Sequence, residues 1–301
     1  MGVLVIGGTK FIGPYVVRLL VERGHEVTIY HRGENEPSLP AQVRHIHDPR
    51  AAVPVTAFPR ELLDTAPDLV IHMIAMGEAD ARAAVAAFGK RASRMVWLSS
   101  GDVYRAYGRL IGVEHDEAVP GKNEVGLLTE DSPLRTALYP YRKPETATSE
   151  LAYYYEKILV EKAAFDDPAT PSVVLRLPKV YGPEGNQDLA TVYRYRHLGS
   201  WRWTHGYVEN VAEAIALAAT HPAAVRRIYN VGEEYTPTVE ERLKSLPPSD
   251  LAPDDRQHFA DLQNIAYDTT RIRSELGYRE PVAYEGGLYR TLGARPQRRP
   301  Q

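Results

Sequence analysis

Short apolar runs alternate with stretches of helical periodicity over the first two thirds of the chain. The run VLVI at residues 3–6 stops at two glycines, and apolar residues then recur at helical spacing from 11 to 23. Further strand-like runs lie at residues 26–30, 69–74, 95–98, 172–177 and 228–231. Helical periodicity returns at 151–165 and 208–220. Strands and helices that alternate on this scale predict a parallel sheet with helices on both faces.

The texture of the chain changes after residue 232, where prolines at 237, 247, 248 and 253 break it into short pieces. We therefore predict an α/β protein with a doubly wound parallel (Rossmann) core at residues 1–182 and 201–232. Residues 183–200 and 233–301 would form a smaller, irregular substrate-binding subdomain. The long connection at 105–150 is either a lid or binding loop, or a solvated excursion with no role.

The composition excludes several classes of protein. The 301 residues are 44% hydrophobic and 25% charged, so the chain can bury a large core. Cysteine is absent, which excludes disulfides and thiolate nucleophiles, and the ten histidines contain no HExxH pattern, so no metal site is expected. A net charge of −3 gives no overall attraction to nucleic acid. No segment resembles a signal peptide or a membrane span, and a cytoplasmic protein is expected.

The glycines after the first strand predict a phosphate-binding turn. In VLVIGGTKFIGPYVVRLL they stand between a strand and a helix, where backbone N–H groups at the helix N-terminus bind pyrophosphate. A tight turn that needs Gly7 and Gly13 only for packing is the alternative.

This stretch resembles the TGGxGFIG fingerprint of the extended short-chain dehydrogenase/reductases, the NAD-dependent epimerase/dehydratase family. Ile6 stands at the Thr position and Lys10 at the middle glycine, while the other fingerprint residues match. The resemblance implies an NAD or NADP cofactor bound by the following residues: Gly7, Thr9, Lys10, Phe11, Ile12 and Gly13.

The end of the second strand favours NADP over NAD. NAD-binding proteins carry an acidic residue there for the ribose hydroxyls, whereas this chain has Tyr30, His31 and Arg32. Arg32 offers a planar fork for the 2′-phosphate, with help from Lys10, although both are also ordinary surface cations. Asp48 is by resemblance an adenine contact and otherwise a turn residue.

The catalytic pair of the family is a Tyr followed four residues later by Lys, which places both on one face of a helix. In LAYYYEKILVEKAA, Lys157 selects Tyr153, and the neighbouring tyrosines at 154 and 155 become packing or pocket residues. The same spacing at residues 139–143 contains a proline, which argues against a continuous helix. The segment WLSSGDVY resembles the family's SSxxVYG, which implies that Ser100 binds the reacting oxygen. Asp102 falls where dehydratase members carry an acid.

The substrate-binding residues are predicted from the segments after the catalytic helix. LRLPKVYGP resembles the family's LRxxNVYGP, with Lys179 in the Asn place, and only residues 184–205 separate it from the YVENVAEAI helix. That stretch is short for a nucleotide-sugar cradle. We expect a substrate with an anionic group held by Lys179 together with Arg202 and His205, the alternative being a solvated basic loop.

These features predict hydride transfer at a carbinol or carbonyl carbon of a sugar-like or nucleotide-sugar substrate by an enzyme of this family. A reductase that uses NADPH on a small anionic carbonyl compound is the alternative. The GGT-basic-FIG form also resembles chloroplast stem-loop-binding relatives, so a non-catalytic RNA-binding protein is a further alternative, although the net charge opposes it. The family commonly dimerises through helices, and a homodimer is expected.

Overall fold

The computed structural model describes residues 1–114, 126–187, 189–254 and 263–293. Its strands are β1 Gly2–Ile6, β2 Glu26–His31, β3 Arg44–His47, β4 Leu69–His72, β5 Arg94–Ser100, β6 Ser172–Leu177, β7 Lys179–Tyr181, β8 His205–Tyr207 and β9 Arg227–Asn230. Within these residues seven strands form one parallel sheet in the order β3-β2-β1-β4-β5-β6-β9. The order reverses direction between β1 and β4, as a doubly wound fold requires, so the predicted fold class is confirmed.

The helices lie mainly between these strands in sequence. They are α1 Ile12–Glu22, α2 Arg60–Leu63, α3 Glu78–Phe88, α4 Arg105–Leu110, α5 Leu151–Tyr154, α6 Lys157–Asp166, α7 Ala190–Arg194, α8 Val208–Thr220, α9 Val239–Leu243, α10 Thr270–Leu276 and α11 Tyr284–Gly293. Among the described residues, none of the helices combines the length and the apolar composition that a membrane-spanning helix needs.

The sheet is buried on both faces because side chains alternate along each strand. In β1, Val3 and Val5 belong to the apolar layer that contains α1 and α8. Leu4 and Ile6 point the other way, into the layer that contains α3 and α6. The helices thus cover both faces, and the carboxyl ends of the strands stay free to form a site.

A smaller sheet and a third apolar cluster lie beyond the carboxyl end of β6. Strands β7 and β8 pair in parallel, and just before β8 the chain bridges from Arg202 to Thr238 and from Trp203 to Ile265. Aromatic side chains fill this cluster, among them Tyr181, Tyr207 and Tyr267. The division of the chain into a core and a substrate-binding subdomain stays a prediction.

The continuous helix predicted over residues 151–165 is wrong. Helix α5 ends at Tyr154 and α6 begins at Lys157, with Tyr155 and Glu156 in extended conformation between them. The Glu156 carboxylate accepts from the N–H of Ile158 at 3.0 Å and so caps α6. It also pairs with the buried guanidinium of Arg135 at 3.0 Å. These bonds stabilise the extended conformation of Glu156 between the two helices. Tyr153 and Lys157 therefore lie on different helices, and their four-residue spacing does not place them on one helix face.

Candidate active site

A cavity of about 760 Å³ opens at the carboxyl ends of the central strands. Its walls come from the turn after β1, the end of β2, the end of β5, the start of α6 and the segment that joins β6 to β7. The point where strand order reverses is where ligands bind in open α/β sheets, and the volume lies in the range usual for small-molecule sites.

The glycine turn forms one end of this cavity. Gly7 and Gly8 both have positive φ, +86° and +85°, a conformation that glycine adopts without strain. A Cβ at Gly13 would overlap the backbone of Gly8, so α1 can approach the turn only with a glycine there. Cavity-lining residues in this turn are Gly7, Gly8, Thr9, Lys10, Phe11 and Ile12. The close helix approach and the lining backbone fit a pyrophosphate, while Gly13 supports the turn from behind.

The end of β2 forms the side of the cavity next to the glycine turn. Arg32 lines the cavity and is partly exposed, and its guanidinium pairs with Glu34 at 2.8 Å. The structure does not bring Asp48 to the cavity wall. Its carboxylate instead binds Arg50 at 2.8 Å and the hydroxyl of Tyr30 at 3.2 Å, and the Arg50 hydrogen bonds lower the pKa of Asp48.

Ser100 and Lys157, two of the residues predicted to be catalytic, both line the cavity. The Lys157 ammonium donates to the backbone oxygens of Ala75 at 2.6 Å and Leu98 at 3.0 Å, which fix its position. Burial lowers the pKa of Lys157 to about 8. The end of β5 thus contributes a hydroxyl to the cavity, and the start of α6 contributes a cation.

The tyrosine that lines the cavity together with Ser100 and Lys157 is Tyr155, not Tyr153. Tyr155 lines the cavity, and the Lys157 nitrogen lies 5.6 Å from the centre of its ring. Tyr153 lies outside this wall, with the guanidinium of Arg142 4.2 Å from its ring centre. The sequence offers no local signal that Tyr155 takes the position predicted for Tyr153, because that position depends on the break between α5 and α6.

Asp102 and Tyr141 complete a hydrogen-bonded network around Tyr155. The Tyr155 hydroxyl donates to the Asp102 carboxylate at 2.5 Å, and the Tyr141 hydroxyl donates to the same oxygen at 3.3 Å. Burial and the nearby carboxylate raise the pKa of Tyr155 well above its ordinary value, and burial also raises the pKa of Asp102. Tyr155 is therefore a neutral phenol in the free protein.

Part of the 105–150 connection supplies residues to this network that the sequence did not identify. Tyr107 and Tyr141, whose hydroxyls lie 3.0 Å apart, line a lobe of about 180 Å³ together with Asp102. The lobe also contains Ser100 and Tyr155, so it continues the main cavity. This part of the connection forms a wall of the candidate site.

Of the predicted substrate-binding residues on β7, β8 and the segment before β8, only Lys179 reaches the cavity. Lys179 lines both the main cavity and the lobe, with its nitrogen 5.6 Å from the centre of the Trp203 ring. Arg202 instead binds the Tyr235 hydroxyl at 3.1 Å, outside the cavity. His205 is buried beneath the site, where its Nδ1 lies 2.7 Å from the backbone oxygen of Trp203. The prediction grouped Arg202 and His205 with Lys179 because they are close in sequence, but their side chains point away from the cavity.

Comparison with solved structures agrees with the fold described above. No curated protein matches the chain by sequence. Among solved structures, Thermus thermophilus UDP-glucose 4-epimerase in complex with NAD is 21% identical, with a TM-score of 0.65 and coverage of 98% of both chains. The Bordetella bronchiseptica enzyme WbmG in complex with NAD is 16% identical, with a TM-score of 0.66 and coverage of 97% of this chain and 93% of that one. MoeE5 in complex with UDP-glucose and NAD is 20% identical, with a TM-score of 0.64 over 98% of both chains.

These similarities show the fold, and the sequence shows the family. A family model described as the NAD dependent epimerase/dehydratase family matches residues 3–232. That span includes the glycine turn, Ser100, Lys157 and Lys179. The chain belongs to the NAD dependent epimerase/dehydratase family and is an NAD(P)-dependent enzyme of the extended short-chain dehydrogenase/reductase type.

Proposed function

We propose that this protein transfers a hydride between NAD(P) and a carbinol or carbonyl carbon of a sugar-like substrate that carries an anionic group. The observation that carries the proposal is the convergence of Ser100, Tyr155 and Lys157 on one wall of a cavity whose other end is the glycine turn. When bound, the nicotinamide accepts or returns the hydride.

The side chains of the site would bind the substrate oxygen and move its proton. The hydroxyls of Ser100 and Tyr155, residues that both line the cavity, would hold that oxygen. In the oxidation direction the substrate hydroxyl gives its proton to the Tyr155 oxygen as the Tyr155 proton moves to Asp102. In the reduction direction the neutral phenol protonates the carbonyl oxygen and regains a proton from Asp102. The Lys157 cation stabilises negative charge that develops on the phenol oxygen.

Lys179 is the proposed binding residue for the anionic group. Burial lowers the pKa of Lys179, and the nearby Arg194 lowers it further. Within the described residues no carboxylate pairs with the Lys179 ammonium. Lys179 is partly buried, and a cation that has lost part of its water is costly unless an anion pairs with it, so a substrate anion would meet that need.

Two substrate classes fit this proposal. A nucleotide-sugar is supported by the family and by the UDP-glucose bound to MoeE5. A small anionic carbonyl compound is supported by the lobe of about 180 Å³ beside Ser100 and Tyr155, which holds only a small group. The first class implies an epimerase or dehydratase that retains its cofactor, and the second implies a reductase that exchanges it.

We expect NADP to bind more tightly than NAD, because the cavity-lining residue after β2 is Arg32, where NAD-binding proteins carry an acidic residue. Calorimetry with each nucleotide on protein shown by mass spectrometry to be nucleotide-free measures this preference. Arg32→Ser is expected to weaken NADP binding by about 10-fold to 100-fold and to leave NAD binding unchanged. Arg44→Ser removes an exposed arginine paired with Glu61 and serves as the control.

Tightly copurifying NAD would contradict the NADP assignment and favour an epimerase or dehydratase. If neither nucleotide binds, and the protein instead binds RNA in a salt-sensitive way, the RNA-binding alternative replaces this proposal.

Lys179→Ala is expected to raise KM by about 10-fold to 100-fold, because a charge-assisted hydrogen bond to the substrate anion is lost. The assay screens UDP-glucose and a panel of 2-oxo acids with each cofactor, and the variant is compared on whichever compound turns over. Arg202→Ala is the control, since Arg202 binds Tyr235 and Glu241 instead of lining the cavity. An unchanged KM in Lys179→Ala, or an equal rise of KM in both variants, would show that Lys179 does not bind the substrate anion.

The homodimer stays a prediction. In the family such a dimer would use helices in the position of α5 and α6, and light scattering of the purified protein decides the question.

A further inference from the structure

Three histidines and one glutamate meet at the edge of the main sheet, away from Ser100 and Tyr155. His31 ends β2, His45 and His47 lie in β3, and Glu36 lies in the connection between these strands. One ligand atom from each side chain lies within 4.8 Å of all the others. We propose that these four side chains bind one divalent transition-metal ion, with zinc as the first candidate.

The sheet register brings the three rings together. β2 and β3 are parallel neighbours, with His31 opposite His47 and Ile29 opposite His45. Alternation along β3 places His45 and His47 on the same face, while Ile46 between them points into the apolar core. Two adjacent strands thus present three imidazoles to one point, and the connection between the strands adds the carboxylate of Glu36.

The distances suit a single four-coordinate ion. His31 Nε2 and His45 Nδ1 lie 2.9 Å apart, and His47 Nε2 lies 2.9 Å from the Glu36 carboxylate. That carboxylate is 3.5 Å from His45 Nδ1 and 4.0 Å from His31 Nε2. Ligands placed tetrahedrally at about 2.0–2.1 Å from zinc are separated by roughly 3.3 Å. The observed separations bracket this value, so small side-chain movements complete the coordination.

The ligand types favour a transition metal over magnesium or calcium. Imidazole nitrogens suit zinc, copper, nickel and iron, whereas magnesium and calcium require oxygen ligands. Three neutral imidazoles and one carboxylate also leave the site with less charge than the free ion. His31 is buried, while the side chains of Glu36 and His47 are 52% and 53% exposed. An ion can therefore enter from the solvent side and reach the buried ring.

Metal binding has a local consequence at Gly33. The Gly33 N–H donates to His31 Nδ1 at 3.2 Å. When His31 Nε2 binds a metal, Nδ1 carries the ring proton, so this contact has to open. The ion would then hold the connection at residues 32–43 to the edge strand. His31 and Arg32 both line the large cavity, so the ion would stiffen the wall that the proposed function assigns to the 2′-phosphate.

The test is zinc binding by the full-length protein without an affinity tag. After chelator treatment, the protein is titrated with zinc chloride by calorimetry, and bound zinc is counted by mass spectrometry after desalting. We expect one zinc per chain. His47→Ala and His45→Ala are each expected to weaken binding at least about 100-fold, since even an outer partner of a ligand is worth 10-fold to 100-fold. His197→Ala removes an exposed histidine outside the cluster and should bind zinc as the unmodified protein does.

Cobalt and amide spectra give a second readout. Cobalt(II) in the site is expected to show the intense visible bands of tetrahedral coordination, and zinc is expected to shift the Gly33 amide resonance. Absence of stoichiometric zinc, or equal zinc affinity in the two β3 variants and the His197→Ala control, overturns the proposal. Circular dichroism of the variants separates lost binding from lost folding. No substrate or cofactor is needed, so failure here leaves the proposal for Tyr155 untouched.

Discussion

Tyr155→Phe is expected to lower kcat by about 10²-fold to 10⁴-fold, whereas Tyr153→Phe should leave kcat nearly unchanged. The phenylalanine keeps the ring of Tyr155 against Lys157 but removes the hydroxyl that would donate to substrate and to Asp102. Tyr153 packs against Arg142 and does not line the cavity, so its hydroxyl has no place in the proton path.

The measurement is steady-state turnover on the substrate found in the screen, with cofactor affinity determined in parallel. Two matched Tyr→Phe changes within three residues control for each other, because both remove one oxygen and keep the ring. A large loss of kcat in Tyr153→Phe with near-normal turnover in Tyr155→Phe would show that the two helices join into one during catalysis. That outcome would restore the four-residue Tyr and Lys spacing.

Glu156→Ala is expected to lower the free energy of unfolding by about 3–5 kcal/mol, because it leaves the Arg135 guanidinium buried without its partner. Both side chains have no exposed surface, and they lie 3.0 Å apart. The same carboxylate caps α6 through the N–H of Ile158 and accepts from the backbone N–H of Tyr139. A single carboxylate thus joins the 105–150 connection to the helix that carries Lys157.

Urea unfolding followed by circular dichroism measures this effect. Lys244→Ala, which removes a highly exposed partner of Glu240, is the control and should change the unfolding free energy little. The double variant Arg135→Met with Glu156→Gln is expected to recover part of the loss, because no uncompensated buried charge remains. A small effect of Glu156→Ala would show that water or another acid reaches Arg135, and would remove the pair as the cause of the helix break.

The pair also positions the active-site network. Arg135 donates to the backbone oxygen of Asp102 as well as to Glu156. Glu156 follows Tyr155 directly in sequence, so Arg135 contacts one residue of the 2.5 Å hydrogen bond between Tyr155 and Asp102 and the neighbour of the other. Turnover in Glu156→Ala is therefore expected to fall together with stability, whereas Tyr155→Phe should leave the unfolding free energy less affected.

Much of the fold and part of the site follow from local patterns in the sequence. Apolar runs, glycines and helical periodicity mark β1, α1 and β2 because strand and helix periods depend only on neighbouring residues. Parallel strands also bring their carboxyl ends to one edge, so the glycine turn and Ser100 could be assigned to one site without coordinates. Lys157 and Lys179 follow from segments that resemble the family, and the cavity includes both.

The remaining features depend on contacts between residues far apart in sequence. Helix periodicity alone continues through residues 151–165, but the helix is interrupted where Glu156 bonds to Arg135, 21 residues away, and to Met76, and Tyr155 there faces the cavity. The histidine cluster likewise needs the pairing of β2 with β3, which places His31 opposite His47. The sequence by itself determined the sheet, the glycine turn after β1 and the polar residues at the strand ends, because these are local. Which tyrosine faces Ser100 and which histidines meet was decided by tertiary structure, because long-range pairing and burial set the direction of those side chains.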